Sequence, residues 1–374
     1  MENLKETLIE KFKKTKLPKK ISSTAEDAIE FTIDELKKVP VSTREFLIEF
    51  KNKNPNIFKN FNADIFINIV RHLRMVGEQK REKHQMGVNF VCFGDKDTAI
   101  NSGVHSLVNE IEEFELKDIL NDDGRLQRSY RFVNPQTSFY ACDRDKFYKV
   151  RDFKEEKEIF YNMESITEGD RIGFSIEGGT SCIRIFYSGK HIVDYLLSDQ
   201  NGEWICHYSN DLHELLNNLP VDNRNIDKLV QRILNLSYTS KGAILVLTTS
   251  ADRDCFKTAQ SVNLKNKSFL EISNTQFNTF ADFDGAMIIK MTNNSAFLSR
   301  CGVFLSSQGK LSNEYIDAIK RTTSGTRHEK AAMYAHDNPH DYVIIISENR
   351  SISVLKGEEL IYWRDKQIKN QINK

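Results

Sequence analysis

From residue 226 toward the C-terminus, amphipathic helical stripes alternate with short apolar runs that carry no polar break. Ile226, Leu229, Val230, Ile233, Leu234 and Leu236 recur at helical spacing and mark one helix. Residues 243–247 (AILVL) then form a continuous apolar run. A strand without polar alternation is buried on both faces, so its sheet must be covered on both sides. Residues 286–289 and 342–346 repeat the pattern, and helices are expected over 312–320 and 326–335. Residues 351–355 and 359–363 read as a closing hairpin turned by Lys356-Gly357. The predicted fold class is therefore α/β, with a C-terminal mixed sheet flanked by helices.

Upstream the pattern changes. Residues 1–85 read as a helical N-terminal segment. Leu4, Leu8, Ile9 and Phe12 make one stripe, with Lys11, Lys13, Lys14 and Lys16 as its solvated face. A second helix is expected over 24–38, capped by Ser22, Ser23 or Thr24, and a third over 63–79. Residues 86–221 read as an α+β region, a candidate sensor or regulatory domain. Its runs at 88–93, 129–133, 137–141, 171–176, 182–187 and 191–197 are rich in branched and aromatic residues, as strands are. Gly178-Gly179 and Ser188-Gly189 are hairpin signals. EGGT at 177–180 lacks the Lys-Ser/Thr ending of a phosphate loop and reads as a turn. A polar linker containing Pro220 covers 217–225, and the third region runs over 222–365.

Composition excludes several classes of function. The 374 residues carry 53 Lys plus Arg against 53 Asp plus Glu, so no global charge attracts nucleic acid. The apolar stretch at 242–247 is far below the roughly 20 residues that span a bilayer. The charged N-terminus lacks the apolar segment of a signal peptide. Six scattered cysteines form no C-x-x-C pair, which argues against a zinc site or disulfide scaffold and for a reducing cytoplasm.

Three short segments carry the chemistry. In D-F-D-G-A at 282–286, a carboxylate and a glycine stand before a strand. Asp284 can hold a metal or orient a hydroxyl, and Gly285 lets a ligand approach the backbone closely. In S-G-T-R-H-E-K-A-A at 324–332, a loop becomes a helix, whose first N–H groups favour anions. Gly325 and Thr326 open it, Arg327 offers a bidentate fork for phosphate, and His328 follows. Ala331 and Ala332 are small enough to let this helix pack closely. Third, Ser347-Glu348 ends a buried strand, the edge where open α/β sheets place ligands. Glu348 with Asp284 would supply hard oxygen ligands suited to magnesium or manganese.

In this order and spacing, the three segments resemble the diadenylate cyclase (DAC) domain family, of the DisA nucleotide-binding type. The helix and strand over 226–247 are similar to that domain's opening, and I-S-V-L-K-G-E-E-L at 352–360 to its closing hairpin. The resemblance covers about residues 222–365 and implies the condensation of two ATP into cyclic di-AMP with release of pyrophosphate. It implies Asp284, Gly285, Ala286, Arg327 and His328 as catalytic residues. Gly285, Ala286, Leu305, Gly325, Thr326, Arg327, His328 and Ser347 would bind the nucleotide, and Asp284 and Glu348 a divalent metal, manganese or magnesium. Each ATP must receive attack from the other, so the resemblance also implies a homo-oligomer with face-to-face DAC domains.

Two positions depart from the family pattern. Glu329 stands where the family carries a second arginine after the histidine, and the turn after Glu348 is shorter, with Arg350 as a candidate source of replacement charge. Glu329 keeps open a related cyclase making another dinucleotide. A third reading is a non-catalytic nucleotide-binding signalling domain.

Overall fold

The computed structural model describes residues 41–363 except 79, 82–83, 86, 95–97, 100–103, 106–113, 116–135, 144–145, 155–158, 177–181, 198–203, 240, 251–252, 259, 307–325 and 349. The helices expected over 4–12, 24–38 and 312–320, the strand at 129–133 and the turn at Gly178-Gly179 lie outside the described residues.

Among the described residues three helices come first: α1 (Val41–Lys53), α2 (Ile57–Asn60) and α3 (Ala63–Glu78). The short strands β1 (Lys80–Arg81) and β2 (His84–Gln85) pair antiparallel. A large sheet follows, built from β3 (Val88–Cys92), β4 (Val104–His105), β5 (Phe114–Glu115), β6 (Ser138–Cys142), β7 (Lys146–Asp152), β8 (Ile172–Ile176), β9 (Cys182–Tyr187), β10 (Lys190–Leu197) and β11 (Trp204–Tyr208). Its order is β11-β10-β9-β8-β3-β6-β7-β4, with β5 against β7. Side chains alternate across the sheet. Val88, Phe90 and Cys92 of β3 join a core with Phe46, Phe50 and Phe66 of the helices. Val91 and Phe93 point the other way, toward Met163 of α4 (Ile159–Ile166). Ring stacking fastens the helical side, with Phe46 on Tyr195 at 4.0 Å and Phe50 on Phe66 at 4.8 Å. Helices from the first 85 residues and this sheet thus share one core. The Ser188-Gly189 turn has φ of 52° and 74°, the paired left-handed conformation that matches hairpin twist.

The second sheet contains β12 (Ala243–Thr248), β13 (Val262–Ser268), β14 (Ala286–Thr292), β15 (Ser295–Val303), β16 (Tyr342–Ile346), β17 (Ile352–Lys356) and β18 (Glu359–Trp363), in the order β13-β15-β14-β12-β16-β17-β18. β12 and β14 run parallel, while β16 lies antiparallel on the other side of β12. The sheet is mixed and covered on both faces, as the sequence pattern required. Ala243, Leu245 and Leu247 face α5 (Ser209–Leu216), α6 (Asn223–Tyr238) and α7 (Asn274–Ala281). Ile244 and Val246 face Ala331, Ala332 and Ala335 of α8 (Thr326–Asp337). The starts of α6 and α7 are capped: Asp222 accepts from the Asn225 N–H at 2.9 Å, and Ser273 with Gln276 forms a reciprocal capping box. Leu212, Leu216 and Leu219, on and just after α5, belong to the second core. Among the described residues, no helix is long and apolar enough to cross a membrane.

Candidate active site

The site follows from strand direction. Ile244 pairs with Ala286 in parallel and Ala243 with Ile346 antiparallel. The start of β14 and the end of β16 therefore lie at the same edge of the sheet, flanking the start of β12. Asp284 and Gly285 immediately precede β14, and Ser347 and Glu348 immediately follow β16. Ala286 also pairs with Val303, so β15 ends at this edge and Leu305 comes two residues beyond. Two interstrand steps separate β14 from β16, about 10 Å. Residues more than 60 positions apart in sequence are thus gathered along one rim.

α8 closes the arrangement. His328 Nε2 lies 2.9 Å from Ser347 Oγ, which ties the first turn of α8 to the end of β16. His328 is buried, so its orientation is fixed by packing as well as by this bond. Ala331, Ala332 and Ala335 are fully buried against the sheet, and their small size brings the helix backbone close. The far end of α8 is anchored by a cluster absent from the sequence reading. Arg253 donates to Tyr334 Oη at 3.0 Å, Asn338 Oδ1 at 2.7 Å and Asp341 Oδ2 at 2.7 Å. A lone arginine in a polar loop gives no signal that it will anchor a helix 80 residues later.

Of the other expected residues, Leu305 is half-buried and packs against the α8-side core. Ala286 is buried in the same core. Gly325 and the side chains of Thr326 and Arg327 lie outside the described residues, although the backbone of Thr326 and Arg327 begins α8. Glu329 is exposed in the first turn, where a carboxylate interacts favourably with the helix N-terminus. Two large apolar side chains, Phe283 and Phe304, are 44% and 43% exposed beside Asp284 and Leu305.

Gly285 has a different reason for being glycine than the one read from sequence. Its φ is 120°, and a Cβ there would lie 2.7 Å from the Gly302 carbonyl carbon and 2.8 Å from the Val303 nitrogen. The group that approaches it closely is the backbone of β15. The register of β14 on β15 shifts between Ala286 and Ile288, so the pair bulges immediately beyond this contact.

The donor set for a divalent cation can be judged from the side chains. Among the described residues no three His, Cys, Asp or Glu side chains form a ready metal cage. Magnesium at phosphate sites takes one or two carboxylates and completes its shell with water and substrate phosphate. Asp284 and Glu348, both exposed on one sheet edge, fit that smaller donor set.

Residues 231–360 match the DAC family model, described as DisA bacterial checkpoint controller nucleotide-binding. This part of the chain thus matches a nucleotide-binding domain of the DAC family. No curated protein matches the chain. Among solved structures, a hypothetical membrane spanning protein from Bacillus cereus is 18% identical over 37% of this chain, with a TM-score of 0.25. The match spans 61% of that protein's chain, less than two thirds of its length. A double mutant of DacA from Staphylococcus aureus is 19% identical over 40% of this chain and 92% of its own, with a TM-score of 0.28.

Proposed function

We propose that the protein is a diadenylate cyclase, condensing two ATP into cyclic di-AMP and two pyrophosphates. The observation that carries this reading is the convergence on one sheet edge: the Asp284-Gly285-Ala286 start of β14, the Ser347-Glu348 end of β16, and the 2.9 Å contact that ties His328 of α8 to Ser347. Each half of the reaction is attack by a ribose 3′-hydroxyl on the α-phosphorus of the other ATP. The new P–O bond forms as the bond to pyrophosphate breaks. Little covalent chemistry falls to the protein, so alignment and charge neutralisation carry the rate.

Asp284 orients the attacking hydroxyl and receives its proton. Thr326, Arg327 and His328 hold the triphosphate at the start of α8, where helix N–H groups favour anions. Ser347 keeps the imidazole of His328 in place. Leu305 lines the nucleotide pocket. Asp284 and Glu348 would hold a magnesium or manganese ion, which when bound would supply charge neutralisation for the phosphate oxygens. Two sites must face each other for mutual attack, so the working form is at least a dimer. Exposed Phe283 and Phe304 border the site and supply apolar area for that contact. The region ahead of the DAC domain regulates or braces it, and the protein works in the cytoplasm. The solvent exposure of Glu329 is compatible with this reading, because an exposed carboxylate on the helix surface weakens phosphate binding little.

The test is incubation of the full chain with ATP and manganese or magnesium, with products resolved by mass spectrometry. Cyclic di-AMP is expected from the wild type. Asp284→Asn should lower turnover by at least about a hundredfold while ATP binding persists. Equal turnover in the two proteins would remove Asp284 from the mechanism, and intact ATP under both metals would remove the cyclase reading.

A further inference from the structure

The turn after β16 is held from outside the DAC domain. Arg350 lies in that turn with φ of 72°, a left-handed conformation that a non-glycine residue keeps only when its surroundings enforce it. Its carbonyl accepts two hydrogen bonds, from Ser237 Oγ at 2.6 Å and from His207 Nε2 at 3.0 Å. Ser237 sits near the end of α6, inside the C-terminal unit. His207 sits on β11, the edge strand of the first sheet, and is fully buried. A carbonyl can only accept, so the His207 Nε2 carries the hydrogen.

The same turn is closed internally. The Arg350 N–H donates to the Ser347 carbonyl at 2.8 Å, and the Ser347 N–H donates to the Ser351 carbonyl at 3.0 Å. Ser347 Oγ in turn meets His328 Nε2 at 2.9 Å. A continuous run of hydrogen bonds therefore leads from a side chain of the first sheet to a nucleotide-binding side chain of the DAC domain. Glu348, the candidate metal ligand, stands inside the stretch of chain that these bonds clamp.

We propose that His207 is a positioning residue for the DAC site: together with Ser237 it sets the carbonyl of Arg350 and so fixes the turn that presents Ser347 and Glu348. The first sheet then contributes directly to the geometry of a site whose reacting groups all belong to the second. The catalytic part of this proposal rests on the cyclase reading, whereas the fixing of the turn does not. Displacing a positioning group by about 1 Å is enough to slow a phosphoryl transfer strongly without removing any group that touches substrate.

Three full-length variants test it: His207→Ala, His207→Gln and Ser237→Ala. Two quantities are read, steady-state cyclic di-AMP synthesis from ATP and hydrogen exchange at the amides of Ser347 and Arg350. His207→Ala is expected to lower kcat about ten- to a hundredfold with KM for ATP near the wild-type value, and to speed exchange at both amides. The amide of glutamine reaches from the same position as Nε2, so His207→Gln should recover most of kcat and the slow exchange. Unchanged kcat and unchanged exchange in both alanine variants would overturn the proposal. So would an equal loss in His207→Gln accompanied by faster exchange throughout the chain, which is the signature of general destabilisation. Should His207→Ala fail to fold, Ser237→Ala carries both readouts from the other side of the same carbonyl. A wild type that makes no cyclic di-AMP would defeat the cyclase reading alone, and the exchange rates would still decide whether His207 fixes the turn.

Discussion

A methyl group at residue 285 has nowhere to go. Its nearest neighbours would be backbone atoms of Gly302 and Val303, all under 3.0 Å, and backbone in a paired strand yields far less readily than the end of a flexible side chain. The φ of 120° adds strain of its own for any residue with a Cβ. Gly285→Ala should therefore destabilise the protein by roughly 2–4 kcal/mol. Urea unfolding measures it directly, and a midpoint equal to wild type would mean that β14 and β15 can separate without cost. The glycine itself was legible from the D-G-A spacing. Its partner was not, because the identity of the approaching backbone depends on which strand lies beside β14. His328 shows the same division. Its place next to Arg327 reads directly from sequence, but its contact with Ser347 spans 19 residues and exists only because β16 and α8 meet at one edge.

Among the secondary-structure elements, α8 is the most constrained by size. Ala331, Ala332 and Ala335 present no exposed surface and lie against Ile244, Val246, Val343 and Ile345 of the sheet. A larger side chain would push the helix outward, and with it the first turn that carries His328. Ala332→Leu should cost about 1–3 kcal/mol through overpacking and lower turnover more than it lowers stability. Thermal melting and cyclic di-AMP synthesis compared in the same preparation decide this, and full activity in the variant would show that the helix can shift without moving the site. Elements that bury themselves were the readable ones. α6, β12 and β16 show uninterrupted apolar stripes or runs, and β16 was expected with its observed limits, Tyr342–Ile346. β13 was missed because VNLKNKS lies at the sheet edge, largely exposed, with Lys265 and Asn266 in left-handed conformation. A polar edge strand resists unwanted pairing, and the same polarity hides it from pattern reading. α7 was missed because NTQFNTFA buries little beyond Asn274 and Phe277. Its capping box at Ser273 and Gln276 was the available signal.

For the molecule as a whole, the joint between the two units holds buried charge. Arg184 of β9 bonds Asp194 at 3.1 Å, reaches the Leu234 carbonyl of α6 at 3.2 Å, and stacks over the Tyr238 ring at 3.7 Å. Burial would raise the Asp194 carboxyl, but Arg184 and His191 outweigh it and hold it below the usual carboxylate range. Glu164 of α4 behaves in the opposite way. Burial pushes its carboxyl up to about 7, with the His191 backbone N–H and Arg184 opposing and Asp227 of α6 adding to the rise. The folded protein therefore holds the Glu164 proton more tightly than the unfolded chain, whose glutamate ionises near the ordinary value of 4.5. Its contribution favours folding below the ordinary value and is lost as pH rises toward about 7, at most about 3 kcal/mol. His213 faces the same Asp227 with its pKa lowered by burial, so its own contribution runs the other way and grows as pH rises through the ordinary histidine range. Glu164→Gln isolates the first effect from the second. The variant should match wild type in urea midpoint near about pH 4.5 and exceed it at about pH 7.5. Parallel stability curves across that window would show that the Glu164 carboxyl is hydrated in the joint and that the two units meet there without a titratable constraint.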